Sequence, residues 1–459
     1  MKAQKELYFK GLLQKEGWLE NVRVDLDDEG KILNICPDIK HDTASGFAIP
    51  GFQNAHSHAF QYAMAGLAEY HRTGAAADDF WSWRTAMYDL ALSISPEELE
   101  SIATMLYAEM LRHGYTSVAE FHYLHHDPDG KPYSDLSEMG SRLIAAAKKT
   151  GIRITLVPMF YQTGGFGLPP TEKQRRFLSS SPDDYFKLLE ATEKATTSYE
   201  GASSGIGLHS LRAGSTDAIK EICRTYKKDR PFHIHLSEQL KEIEDCFAYY
   251  GKRPVAWFSE QVALDSNFHL VHATHLDDSE LKTIAGSGAN VVICPSTEGN
   301  LGDGLFRFRE YMDLKGNWSI GTDSHVGLNP LEELRILDYG QRLISHKRNT
   351  FVTPESGDSG LNAITMAWES GRTAMGASIE SFFKKGEPFD AVVMKSESPL
   401  ITTASTKYLC NTFLYSADVS DMEGTIVNGN WKVKSGNLPE QDNIQAYFKD
   451  TLLKLGTRK

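Results

Sequence analysis

Short apolar segments of strand length alternate with longer amphipathic ones through most of this chain, a pattern that predicts a parallel sheet with helices packed outside it. The candidate strands are Phe47–Asn54, Thr116–Tyr123, Ile152–Tyr161, Gly205–Arg212, Pro231–Ser237, Phe268–Thr274, Ala289–Pro295 and Trp318–Asp323. Stretches such as Pro96–His113 and Ser215–Lys228 carry the helical spacing between them. Eight strands in series suggest a closed (β/α)8 barrel rather than an open sheet.

The two ends of the chain read differently. Leu7–Asn34 and Phe389–Val433 are short alternating strands with turn signals at Asp28-Glu29-Gly30 and Asn428-Gly429-Asn430. Segments of one character on either side of a barrel most simply meet as one small β-sandwich. The expected organisation is therefore 1–46 and 385–459 for the sandwich domain and tail, with 47–384 for the barrel. The sequence shows neither internal repeats nor low-complexity tracts.

Composition narrows the setting. A chain of 459 residues with 41% hydrophobic content can bury one large core and carry a second small domain. Its start, MKAQKELYFK, does not resemble a secretory leader, and no apolar run reaches membrane-spanning length, so a cytoplasmic location is expected. Five cysteines, Cys36, Cys223, Cys246, Cys294 and Cys410, are odd in number and lack a C-x-x-C pair, which suggests reduced thiols. A net charge of −13 without a basic block argues against nucleic-acid or anionic membrane partners. Small anions are not excluded, because exposed charges are screened beyond about 8 Å at physiological salt and a few inward arginines can dominate locally.

The candidate chemistry lies where the strands end. His56 and His58 sit two apart on an extended segment and so point to one side, as two imidazole ligands of one ion would. In FHIHLSE, His235 offers a third imidazole and Glu238 a carboxylate within reach of a bound water. His272 ends the strand FHLVH, and Asp323 ends WSIGTD, where its carboxylate would complete a set of three histidines and one aspartate. Each has a plain structural alternative: an isolated H-x-H is commonly a pair of hydrogen-bonded core histidines, and Asp323 could cap a following helix. Four strands ending in metal-competent or proton-transfer side chains, on the face where such barrels carry active sites, favour a metal site.

These residues resemble the amidohydrolase superfamily, over the full chain. The resemblance implies His56, His58, His235 and Asp323 as ligands of a divalent ion, with Glu238, His272 and Asp323 as the catalytic groups. The strand-four end, GIGLHSLRA, has no lysine, so one ion is expected rather than two. Such an ion lowers the pKa of its water from about 15.7 towards 7, after which a nearby acid must protonate the leaving nitrogen.

Gln61, Arg84, Tyr123, His209 and Arg212 are candidates for the mouth of the site. Two arginines from different loops suit a dicarboxylate, each gripping one carboxylate as a bidentate fork. Either arginine alone could equally pair with a structural acid. The wider wording, in NAHSHAFQYAMAGL, FYQTGGFG with QRRF, HIHLSEQ, LVHATH, STEGNLGDG, GTDSHV and EELRILDYGQRL, resembles bacterial formimidoylglutamate deiminases. That resemblance implies hydrolysis of N-formimino-L-glutamate in histidine breakdown, zinc as the ion, a homodimer, and a substrate-binding role for the same five residues. It departs from the pattern at Tyr62, where a basic residue is expected. The residues themselves leave open a deaminase acting on a nucleobase, guanidino or chlorotriazine compound, or a non-catalytic scaffold. Trp81–Trp83 and Gly164–Gly167 are candidates for loops covering the mouth.

Overall fold

Alternation at the chain start produces β1 (Lys5–Gln14), β2 (Gly17–Leu26), β3 (Ile32–Cys36) and β4 (Ser45–Pro50), whose inward residues Phe9, Leu12, Val22, Val24 and Ile49 are buried. In this computed structural model, which describes residues 5–67, 69, 80–225 and 229–456, a second run of strands follows. It comprises β5 (Phe52–Ser57), β6 (Tyr115–His122), β7 (Arg153–Phe160), a short β8 (Ala202–Ser204), β9 (Ile206–Ser210), β10 (Phe232–Leu236), β11 (Phe268–His272), β12 (Asn290–Ile293) and β13 (Asn317–Ile320). The chain ends with β14 (Ala391–Met394), β15 (Met422–Val427) and β16 (Asn430–Lys434) before a final helix, Gln441–Leu455.

The strands of the second run pair in parallel in the order β5-β6-β7-β9-β10-β11-β12-β13, with β8 beside β7. The ring closes where the first and last of them meet. Ser57 and Asp323 form a parallel bridge, and the Thr322 and Asp323 N–H groups donate to the His56 carbonyl at 3.1 and 3.0 Å. Helices cover the outside, as buried parallel strands require. One example is Pro96–Arg112, which begins at a capping box: the Ser95 hydroxyl accepts from the Glu98 N–H while the Glu98 carboxylate accepts from the Ser95 N–H. Its apolar stripe, with Leu99, Ile102, Leu106 and Met110, is buried. The expected helix Ser215–Lys228 is Thr216–Thr225; its further residues to Lys228 lie outside the described ones.

The two chain ends meet in one seven-stranded sheet ordered β16-β15-β14-β4-β1-β2-β3. The sheet folds over on itself: Lys31, just before β3, bridges Pro388, just before β14, and the Phe389 N–H donates to Gly30 O at 3.1 Å. Gly30 makes that approach feasible, since its φ is +78° and a Cβ there would lie 1.9 Å from the Asn428 carbonyl oxygen. The turn Asn428-Gly429 has φ of +51° and +66°, as a tight hairpin between β15 and β16 requires.

Three sequence expectations are revised in detail. Phe389–Val433 is not strand alone: the helix Thr406–Ser416 lies between β14 and β15. Phe47–Asn54 is not one strand: it splits at Gly51 into β4, which belongs to the end sheet, and β5, which opens the barrel. A Cβ at Gly51 would lie 2.3 Å from the Thr116 side chain, so the crossing between sheets needs glycine. Trp81–Trp83 belongs to the first turn of a helix, Phe80–Ser93, rather than to a loop.

Candidate metal centre and active site

Barrel geometry delivers His56 and His58 from the end of β5, His235 from β10, His272 from β11 and Asp323 from just beyond β13. All five side chains are buried. The His56 Nε2 lies 3.2 Å from His58 Nε2 and 3.1 Å from His235 Nε2, and Asp323 Oδ1 lies 3.5 and 3.3 Å from the Nε2 atoms of His56 and His58. Asp323 leads into no helix of its own; Asn329 caps the following helix by accepting from the Leu331 N–H.

The far side of two of the imidazoles fixes which nitrogen faces inward. His58 Nδ1 donates to Phe121 O at 2.7 Å and His235 Nδ1 donates to His209 O at 2.9 Å, so in the neutral rings both Nε2 lone pairs converge on the centre. Burial keeps His56 neutral, down to about 3, and holds His58 and His235 below the usual imidazole range. The His56 Nε2 lies 3.1–3.2 Å from both of those nitrogens, and with its hydrogen on Nδ1 three lone pairs would crowd together and repel. A cation between them turns that repulsion into ligation. Three imidazoles and a carboxylate are the donors a first-row divalent ion takes, so the residues fit one.

On the reaction side, His272 Nε2 lies 3.8 Å from Glu238 Oε1 and 3.7 Å from Asp323 Oδ2, while its Nδ1 is 3.2 Å from Glu298 Oε1. Burial disfavours the charged form of His272, but Glu238, Glu298 and Asp323 together outweigh it and hold the ring at about 10. Burial raises the Glu238 carboxyl, and His272 and Arg212 oppose that rise only in part. Ser237, His272, Ala273, Asp323 and His325 all have φ between +45° and +68°. Left-handed backbone is costly for residues with a Cβ, and here it recurs at the strand ends that carry the site.

Gln61, Arg84, Tyr123, His209 and Arg212 line one cavity with His58, His235, Glu238, His272 and Asp323. Gln61 donates from Nε2 to the Tyr123 hydroxyl at 2.9 Å. Arg84 and Arg212 flank Trp81, their guanidinium carbons 4.8 and 5.9 Å from its ring. Arg212 sits 3.8 Å from Glu238 Oε2 and 3.7 Å from Glu242 Oε2, yet its buried Nη1 makes no hydrogen bond among the described residues. The inner cavity is small, about 40 Å³, and both arginines also line an outer chamber of about 460 Å³ beside Gly164, Gly165 and Phe166. Tyr62 turns away from this mouth and stacks on Phe448 of the final helix, with ring centroids 5.5 Å apart.

Sequence reasoning missed several groups that the fold brings in. Glu242 accepts from the Ser237 and Glu238 N–H groups, each at 3.2 Å, and so secures the turn that presents Glu238. Glu120, behind the first histidine pair, accepts from the Ser57 hydroxyl and the Ala59 N–H, both at 2.6 Å. Tyr88 lines the cavity beneath the Arg84 guanidinium, 5.2 Å from its ring. Glu242 carried a faint signal, standing four residues beyond Glu238; the others had none.

Comparison with known proteins agrees with this architecture. Residues 47–432 match the amidohydrolase family model. The chain is 41% identical over 450 residues to a formimidoylglutamate deiminase of Pseudomonas aeruginosa, covering 97% of this chain and 98% of that protein. An amidohydrolase of Brucella melitensis has a crystal structure that superposes with a TM-score of 0.92 at 39% identity, covering 98% of this chain and 100% of that one. An adenosine deaminase of Xanthomonas campestris, crystallised with bound zinc, shares the fold at a TM-score of 0.79 and 19% identity over 98% of each chain. A family match that runs from β4 through the whole barrel and back into the end sheet, over a barrel that gathers three histidines and an aspartate, means that this chain belongs to the amidohydrolase family.

Proposed function

We propose that the chain is a formimidoylglutamate deiminase, hydrolysing N-formimino-L-glutamate to N-formyl-L-glutamate and ammonia in histidine degradation. The observation that carries this reading is the 41% identity, over nearly the whole of both chains, to the Pseudomonas protein of that name. In it, His56, His58, His235 and Asp323 hold one divalent ion, zinc by its taste for imidazole with carboxylate. When bound, that ion makes a water acidic enough to serve as nucleophile near neutral pH.

The remaining steps fall to the chain's own side chains. Asp323 takes a proton from the attacking water, and His272 stabilises the negative charge that develops as the formimino carbon becomes tetrahedral. Glu238, its carboxyl raised by burial, carries a proton to the leaving nitrogen so that neutral ammonia departs and the C=O of the formyl group forms. Arg84, Arg212 and Tyr123 bind the glutamate carboxylates, with Gln61 and His209 beside the formimino end. Arg212 Nη1, buried at the cavity wall and without a hydrogen bond among the described residues, is a donor suited to an incoming carboxylate. An inner cavity of about 40 Å³ is too small for an amino-acid derivative, so on this reading Trp81–Trp83 and the Gly164–Gly167 turn shift to admit it.

The same reading has the enzyme act as a cytoplasmic homodimer. Among the described residues no helix is long and apolar enough to cross a membrane. We assign the chain ends to the small domain and its tail, with the first boundary moved from residue 46 to Gly51 because β4 pairs in the end sheet, and the residues from there to 384 to the barrel. An ammonia-release assay on N-formimino-L-glutamate, with the carbon product identified, tests the function. N-formyl-L-glutamate is expected; formamide with glutamate, or faster turnover of adenosine, guanine or cytosine, would refute it.

A further inference from the structure

The segment Ser296-Thr297-Glu298 opens a short helix, Pro295–Leu301, between β12 and β13, and each of its three side chains fastens a different part of the site. The Ser296 N–H and hydroxyl donate to the two oxygens of Glu333 at 2.9 and 2.5 Å, which anchors the segment to the helix Pro330–Ser345. The Thr297 hydroxyl donates to Thr322 O at 3.1 Å and accepts from the Ser324 N–H at 3.2 Å, so it grips the loop carrying Asp323 from both sides. Glu298 Oε1 accepts from the Cys294 N–H at 2.9 Å and lies 3.2 Å from His272 Nδ1. Glu298 is buried at 4% exposure, and its own N–H donates to Cys294 O at 2.8 Å, which pins both ends of the residue.

This geometry constrains one atom. A carboxylate oxygen facing Nδ1 requires the hydrogen to sit on that nitrogen, so the other nitrogen, Nε2, is turned to Asp323 Oδ2 and Glu238 Oε1. His272 needs such a fix from outside its own strand, because it and Ala273 have φ of +68° and +49° and β11 ends at this point. We propose that Glu298 is a positioning residue for the deimination: it holds the ring of His272 in orientation by accepting the Nδ1 hydrogen, and the Ser296-Thr297-Glu298 segment couples that setting to the Asp323 loop. The catalytic consequence rests on the deiminase reading; the ring orientation does not.

The test uses the metal-loaded full-length chain. Glu298→Ala should lower kcat for N-formimino-L-glutamate by about 10- to 100-fold while KM and metal content per chain stay within about twofold. Glu298→Gln, which keeps an acceptor oxygen, should recover most of that loss. In parallel, ¹⁵N-histidine NMR of the wild type, with His272 assigned by its loss in His272→Gln, should show a protonated Nδ1 that changes in Glu298→Ala. Unchanged kcat in the alanine variant would overturn the proposal, as would a kcat loss matched by lost metal or an unprotonated Nδ1 in the wild type. Should Glu298→Ala fail to fold, the glutamine variant and the wild-type spectrum decide the matter. A wild type that releases no ammonia from this substrate would sink the deiminase reading, and the NMR result would then judge Glu298 alone.

Discussion

Strands β10 and β11 carry two stacked pairs of histidines, one above the other inside the barrel, and the two pairs have opposite chemistry. The upper pair, His235 over His272, has ring centroids 5.6 Å apart and 12° between planes; the lower, His233 over His269, has 4.8 Å and 26°. All four rings are buried, so the loss of water penalises every imidazolium alike. In the lower pair that penalty wins: burial takes His233 down to about 4, and it pulls His269 well below the usual range with help from its neighbour His233. In the upper pair three carboxylates reverse it for His272, at about 10, while His235 faces other imidazoles and stays low. Burial makes a histidine neutral; only the company of carboxylates and converging lone pairs makes it a site.

The sharpest way to break this comparison is to exchange the fates of the two residues on β10. His235→Asn is expected to lose the metal and to reduce ammonia release by roughly a thousandfold or more, as removal of a chelator-accessible ion from the wild type should also do. His233→Asn, two residues away, should keep one ion per chain and most of the turnover. Metal analysis beside steady-state kinetics reads both. Equal losses from the two variants would mean that the lower pair belongs to the site after all.

Next in size is the acid that works beside the upper pair. Glu238→Gln should retain the ion and lose about 10²- to 10⁴-fold in kcat, the span ordinarily due to general acid–base catalysis. Near-normal kcat would remove Glu238 from the proton transfer and leave the raised carboxyl a consequence of burial alone. Arg212→Lys should act on binding instead. A point charge replaces a two-pronged donor, so KM for the dicarboxylate rises by about 10- to 100-fold with a smaller change in kcat. A kcat defect without a KM change would reassign Arg212 to holding Glu238 and Glu242, which it approaches at 3.8 and 3.7 Å.

What the sequence disclosed about these regions follows from the range of each signal. The eight barrel strands and the meeting of the chain ends were legible because apolar period and turn residues are local. The first strand was misjudged because Phe47–Phe52 reads as one apolar run, and the Pro50-Gly51 turn signal inside it, where one sheet hands over to another, was passed over. His56 and His58 were legible as a converging pair because a strand sends residues two apart to one side. The same rule applied to His233 and His235 would have put both in the centre. It fails there because His233 lies deeper, with Nε2 donating to Ala374 O at 3.1 Å. Glu298 was illegible as a partner of His272 and Glu242 only faintly legible as that of the Glu238 turn, since each sits on a helix whose position is set by tertiary packing.

The smallest effect is the most discriminating for the lower pair. His233 caps the last residue of the helix Ser359–Ala374, so its role is to satisfy a buried carbonyl rather than to do chemistry. His233→Leu keeps much of the volume but leaves Ala374 O without its donor, which should cost about 1–3 kcal/mol of stability. Urea denaturation of the metal-loaded chain reads that loss, while kcat and KM should stay within about twofold of wild type. A stable variant with impaired turnover would invert the assignment: the hydrogen bond would then be dispensable to the fold, and the lower ring would be felt at the metal through the few atoms of β10 that separate it from His235.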